Sequence, residues 1–128
     1  MIEGIAISKI LLIEDNPQNA LLIRRVLEAQ QHLVIHASEG ETGLTKAIEE
    51  SPDLLLVDLG LPDIDGQTLV ALVKRTPELK HIPVVAVTAW PEETAREMAL
   101  AYGCDGFISK PINTRTFPEQ IAQFLVKR

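Results

Sequence analysis

The chain has 128 residues, 46% of them apolar and 23% charged, with a formal net charge of −6. That length fits one folded domain, and the balance excludes a disordered or membrane-embedded polypeptide. Its lysines and arginines are dispersed, leaving no basic footprint for nucleic acid, and its apolar runs fall far short of the ~20 residues of a membrane span.

The N-terminus lacks a basic stretch followed by a hydrophobic signal core, so residence in the cytoplasm is expected. Cys104 is the lone cysteine and has no partner for an internal disulfide. Residues 1–7 read as an N-terminal extension ahead of a single domain over 8–128, without internal repeats or low-complexity linkers.

In chain order, the first apolar run, Ile10 to Ile13, predicts a strand that ends at Glu14-Asp15. Asn16 then stands at a helix-capping position with Pro17 at the first helical residue, ahead of Leu22, Ile23, Val26 and Leu27 on one face. A less regular run, Leu33 to Ala37, is the second strand. Leu54 to Val57 is the third, followed by Asp58; Val84 to Val87 is the fourth, followed by Thr88; Phe107-Ile108 is the fifth, with Lys110 just beyond. In the last segment Phe117, Ile121, Phe124 and Leu125 recur at the spacing of one buried helical stripe. Its start is expected at Thr116, which has capping-box spacing to Glu119, and Pro118 is tolerated in a first turn.

Uninterrupted apolar runs, rather than alternating ones, suit strands covered on both faces. The pattern is β-α repeated five times, which predicts an α/β fold: a parallel sheet with helices on both sides and a ligand site beyond the carboxyl ends of the strands. The residue after nearly every apolar run is polar. In a parallel sheet Glu14, Asp15, Asp58, Thr88 and Lys110 therefore share one rim. Three carboxylates so close repel, at about 4 kcal/mol per pair for a ~4 Å separation and an effective dielectric of ~20. Lys110 can answer one charge, and the remaining oxygen ligands suit a hard divalent cation. Mg²⁺ fits better than Ca²⁺ because few protein ligands are offered. A lysine beside a carboxylate-bound metal also suits a transferring phosphoryl group, to which Thr88 can donate a hydrogen bond.

Glu14-Asp15-Asn16, the run Asp58-Leu59-Gly60-Leu61-Pro62-Asp63-Ile64-Asp65-Gly66, Val87-Thr88-Ala89 and Lys110-Pro111 closely resemble the receiver domain of two-component response regulators, over about residues 8 to 127. The likeness is to chemotaxis-type, stand-alone receivers, and it implies a flavodoxin-like (βα)5 sandwich with strand order 2-1-3-4-5. It further implies that Asp58 is the phosphoacceptor. Glu14, Asp15, Asp58 and the backbone carbonyl of Gly60 would hold Mg²⁺, with Mn²⁺ as a substitute, while Thr88 and Lys110 would contact the phosphoryl oxygens. Phe107 would be the aromatic switch partner of Thr88, Trp90 would border the pocket, and a cis peptide before Pro111 would aim Lys110 inward. Phosphorylation replaces a carboxylate with a group of roughly −1.5 to −2 charge. By resemblance it re-contours the surface of the fourth helix, fifth strand and fifth helix. The implied partners are a histidine kinase or histidine phosphotransfer protein as donor and a downstream protein target, acting on a monomer or weak dimer that binds neither nucleic acid nor membrane.

Two rivals are weaker. An aspartyl-phosphate phosphatase wants a second acid two residues after its nucleophile, where Gly60 stands, and no nucleotide-binding glycine motif occurs. A receiver-like interaction module that takes no phosphate would not need the full set of side chains. Asp63-Ile64-Asp65-Gly66 is not read as a calcium loop, because Leu61 occupies the first ligand position. His32, His36 and His81 lack a second ligand at metal spacing and read as structural or solvated. The fifth helix reaches almost to Arg128, so the expected output is a protein contact rather than an attached effector domain.

Overall fold

The computed structural model describes residues 8–126; the expected extension over 1–7 lies outside them. Ten elements alternate: β1 (Lys9–Ile13), α1 (Pro17–Glu28), β2 (Leu33–Ala37), α2 (Gly40–Glu50), β3 (Leu54–Asp58), α3 (Gly66–Arg75), β4 (Val84–Thr88), α4 (Glu92–Tyr102), β5 (Gly106–Ser109) and α5 (Phe117–Val126). All strand pairings are parallel, in the order β2-β1-β3-β4-β5. This is the flavodoxin-like (βα)5 sandwich expected from the sequence. Asp58 and Thr88 belong to their strands as the last residues, one position beyond the apolar runs.

Alternating side chains of the central strands feed two cores. On one face Ile10, Leu12, Leu54, Leu56, Val85 and Val87 pack with Ala20, Ile23 and Leu27 of α1 and Phe117 and Ile121 of α5. On the other, Leu11, Ile13, Leu55, Val57 and Val84 pack with Ala47 of α2 and Leu69, Val70 and Val73 of α3. Each fully buried Leu, Ile or Val contributes about 1.5–3 kcal/mol, so these layers hold the sheet rigid beneath the rim. Leu22 departs from the expected apolar stripe of α1. It is 39% exposed, because the buried face runs through Ala20, Ile23 and Leu27 instead.

The helix boundaries follow local chemistry. Asn16 Oδ1 accepts the N–H groups of Gln18 and Asn19 at 2.9 and 3.0 Å, with Pro17 next to it as expected. α5 begins at Phe117, directly after Thr116, whose carbonyl accepts the N–H of Gln120 at 3.0 Å. α4 stops at Gly103, whose φ of 87° lies in the left-handed region that glycine enters without steric cost. α2 lies close on β1 because Gly43 has no side chain; a Cβ there would come 2.7 Å from Ile13 Cγ1.

Candidate functional site

The carboxyl ends of β1, β3, β4 and β5 meet at one rim, and the polar residues after the apolar runs converge there. One carboxylate oxygen from each of Glu14, Asp15 and Asp58 lies within 4.8 Å of the others. Glu14 is only 1% exposed and Asp58 is also buried, while Asp15 faces solvent. Lys110, following β5, brings its Nζ to 3.0 Å from Glu14 Oε1 and 3.5 Å from Asp58 Oδ2. The Lys110–Pro111 peptide is cis, as expected. The backbone N–H of Lys110 donates to the carbonyl of Thr88 at 2.8 Å, tying the ends of β4 and β5 together.

Burial pushes Glu14 above the ordinary carboxylate range, and the charge of Asp58 adds to this; Lys110 and the Asn16 N–H pull the other way without prevailing. For Asp58 burial also pushes upward, but the Gly60 N–H, Glu14, the Lys110 ammonium and Asp15 outweigh it and hold the carboxyl below its usual range. The Gly60 N–H donates to Asp58 Oδ1 at 2.9 Å. The two neighbouring carboxyls are thus shifted in opposite directions, Glu14 upward and Asp58 downward.

The donor set fits a divalent cation. Glu14 Oε2 accepts the Asn16 N–H at 3.1 Å, but the buried Oε1 accepts no hydrogen bond and has Lys110 only as an ionic neighbour. Three hard oxygen donors drawn together at one point are what a small hard ion needs. A Cβ on Gly60 would sit 3.6 Å from Asp58 Oδ1, an ordinary contact, so the glycine leaves that side of the carboxylate open.

These features decide the family. The family model described as the response regulator receiver domain matches residues 10–122. The chain belongs to that family. It is 38% identical over 116 residues to the polar-differentiation response regulator DivK of Brucella ovis, covering 91% of this chain and 94% of that one. A putative response regulator from Chloroflexus aurantiacus superposes with a TM-score of 0.89 at 26% identity, over 94% of this chain and 99% of the other. The receiver domain of a sensor histidine kinase from Pseudomonas aeruginosa, whose structure has a magnesium ion coordinated in the active site cleft, superposes with a TM-score of 0.86 at 26% identity, over the same shares. The chain is thus a receiver module of two-component signalling and not an enzyme acting on a separate substrate.

In this receiver the remaining candidate residues are placed as follows. Thr88 is buried, and its Oγ accepts the N–H of Trp90 at 3.0 Å. It thus caps the turn after β4 and keeps its own hydroxyl proton free for another acceptor. Trp90 is 37% exposed. Phe107 is half-buried on β5 with the Arg96 guanidinium of α4 lying 5.7 Å from its ring centroid. A cleft of about 320 Å³ opens beside it, lined by Glu92, Ser109, Asn113, Thr116 and Gln120 among others. No helix among the described residues is long and apolar enough to cross a membrane.

Sequence reasoning did not foresee the hydrogen bonds of three residues around the site. His36, read as structural or solvated, has a structural role: its Nε2 donates to the Glu14 carbonyl at 2.8 Å. Its place near the carboxyl end of the second strand, opposite Leu12 in register, was the available signal. Asp63 and Asp65 each cap a helix: Asp63 accepts from Gly40 and Glu41 at the start of α2, and Asp65 from Thr68 in α3.

Proposed function

We propose that this receiver accepts a phosphoryl group on Asp58 in a Mg²⁺-dependent reaction and passes the signal through its α4-β5-α5 surface. The observation that carries this is the meeting of Glu14, Asp15 and Asp58 oxygens within 4.8 Å under the Lys110 ammonium. Glu14, Asp15, Asp58 and the Gly60 carbonyl would hold the cation, for which Mn²⁺ can substitute; bound there, it neutralises charge on the phosphoryl oxygens. An Asp58 carboxylate oxygen attacks phosphorus, and the bond from phosphorus to the donor breaks with its electron pair leaving on the donor. Lys110 pairs with the charge that arrives, and the Thr88 hydroxyl donates to a phosphoryl oxygen while still accepting from Trp90.

Drawing Thr88 toward the phosphoryl group vacates space for Phe107. Two or three hydrogen bonds to charged groups, at about 1.5–3 kcal/mol each, are of the size needed to shift such an equilibrium. The cleft beside Phe107 supports this face as the one a protein target reads. Family membership supports a histidine kinase or histidine phosphotransfer protein as donor and a cytoplasmic location.

The test is incubation with acetyl phosphate and MgCl₂, read by intact mass. One phosphoryl group per chain is expected in the wild type, none with EDTA and none in Asp58→Asn. Equal labelling of Asp58→Asn would refute the acceptor assignment.

A further inference from the structure

The crossing from β3 to α3, residues 59–65, carries the Gly60 carbonyl that the proposed metal site uses. Leu59 and Leu61 bury their side chains beneath it, and Asp65 caps its own helix through Thr68 at 2.9 Å. Asp63 does something different, because it caps a helix it does not precede. Its Oδ1 accepts the Gly40 N–H at 3.0 Å and its Oδ2 the Glu41 N–H at 3.1 Å, while Glu39, at the N-cap position of α2, makes no side-chain cap. Gly40 is buried at this junction, and a Cβ on it would overlap Ile64 Cγ2, so the glycine lets Asp63-Ile64 sit flush on the helix start.

The same helix also supports the other acids. Gly43, one turn on, presses against Ile13, the residue before Glu14. The first turn of α2 therefore braces both the strand end that supplies Glu14-Asp15 and the loop that supplies Gly60. Two residues, Leu61 and Pro62, separate Gly60 from Asp63, a span of at most about 11 Å, so releasing the clamp frees the backbone next to the carbonyl.

We propose that Asp63 is a positioning residue for the cation: clamping the β3–α3 loop to α2 holds Gly60 in register with Glu14, Asp15 and Asp58, and it makes the order of α2's first turn depend on metal occupancy. The inference rests on the metal reading given above. By linkage the effect is reciprocal, since whatever α2 order contributes to metal affinity, the metal returns as α2 order.

The experiment measures the Mg²⁺ Kd by calorimetry and the exchange of the Gly40 and Glu41 amides by NMR, with and without Mg²⁺. In the wild type, Mg²⁺ slows exchange at both amides. Asp63→Ala binds Mg²⁺ about tenfold more weakly, as for loss of a residue supporting metal ligands, and its two amides no longer respond to the ion. Asp63→Asn, which retains an acceptor for one N–H, recovers part of the affinity and serves if the alanine variant does not fold. Val73→Ala, a cavity in the α3 core, lowers the unfolding midpoint and leaves the Kd unchanged. Wild-type affinity in Asp63→Ala overturns the coupling while leaving the metal site intact. Failure of the wild type to bind Mg²⁺ removes the metal reading and the coupling with it.

Discussion

Lys110 Nζ stands 3.0 Å from Glu14 Oε1, closer than its 3.5 Å to Asp58 Oδ2, so the lysine chiefly compensates the more deeply buried acid. Burial has already raised Glu14, and removing the ammonium raises it further. A carboxyl whose folded pKa exceeds its unfolded value binds its proton more tightly when folded. Its favourable contribution is complete below the unfolded value, 4.5 here, and is lost as pH climbs through the folded one. Lys110→Met is therefore expected to match the wild type most nearly at about pH 5 and to fall behind by about 3 kcal/mol at pH 8, the low end for stripping a partner from a buried charge. Urea melts across that range check it. Mg²⁺ at pH 8 restores more stability to the variant than to the wild type, because the ion replaces the missing counter-charge. A variant deficit independent of pH contradicts the assignment.

Arg96 lies against the aromatic ring that the proposed switch would move. Its guanidinium covers the Phe107 ring at 5.7 Å from the centroid and is itself paired with Glu92 at 3.0 Å. At a half-exposed site this contact is worth about 0.5–1 kcal/mol, or a factor of roughly two to five in population. Arg96→Ala is expected to shift the unphosphorylated receiver toward the inward ring, speeding modification by acetyl phosphate two- to fivefold. Arg96→Lys, which keeps the cation, falls in between. An unchanged rate with the ring packing altered shows that the clasp does not oppose the switch.

Strand order, the shared rim and the polar residues at or just past the ends of β1, β3, β4 and β5 were legible because a parallel sheet converts spacing along the chain into adjacency in space. Asp58 illustrates this: an acid after Leu54 to Val57 has only one place to go. The side-chain partners were less legible. Leu22 misled because helical spacing alone does not choose between two adjacent apolar stripes, and the small Ala20 took the buried place. Asp63 was hidden because its partners, Gly40 and Glu41, lie 23 and 22 residues earlier, and nothing local marks a cap supplied from another loop. The Arg96–Phe107 contact likewise depends on how α4 lies across the edge strand β5.

Asp105, at the entry to β5, does for the far end of the sheet what Lys110 does for the site. Its Oδ2 accepts the Val84 N–H at 2.7 Å and the Lys74 ammonium at 3.1 Å, joining β5, β4 and α3. Removing the carboxylate leaves the partly buried Val84 N–H without that acceptor. Asp105→Ala is expected to cost about 2 kcal/mol in urea unfolding, while acetyl phosphate modification proceeds at the wild-type rate, since this latch lies at the opposite end of β4 from Thr88. A loss of phosphorylation without a loss of stability contradicts this division.

The same carboxylate adds to the effect of burial on Cys104. Burial, and then the adjacent Asp105 charge, push its thiol from 9.0 up to about 11, against a smaller downward pull from Lys74. Only the thiolate attacks an alkylating agent. A rise of about 2 leaves the thiolate roughly a hundredfold scarcer at pH 8 than in an exposed cysteine, before access is counted. Folding thus favours the protonated thiol, and that share of stability is complete below pH 9 and lost as pH rises toward 11. Iodoacetamide is expected to label the folded receiver at least a hundredfold more slowly than the urea-unfolded chain. Asp105→Asn, which removes the charge and keeps an acceptor for Val84, should quicken labelling of the folded form with little change in the unfolding midpoint. If Asp105→Asn labels at the wild-type rate, burial alone protects the thiol and the carboxylate serves only as the latch between β5 and β4.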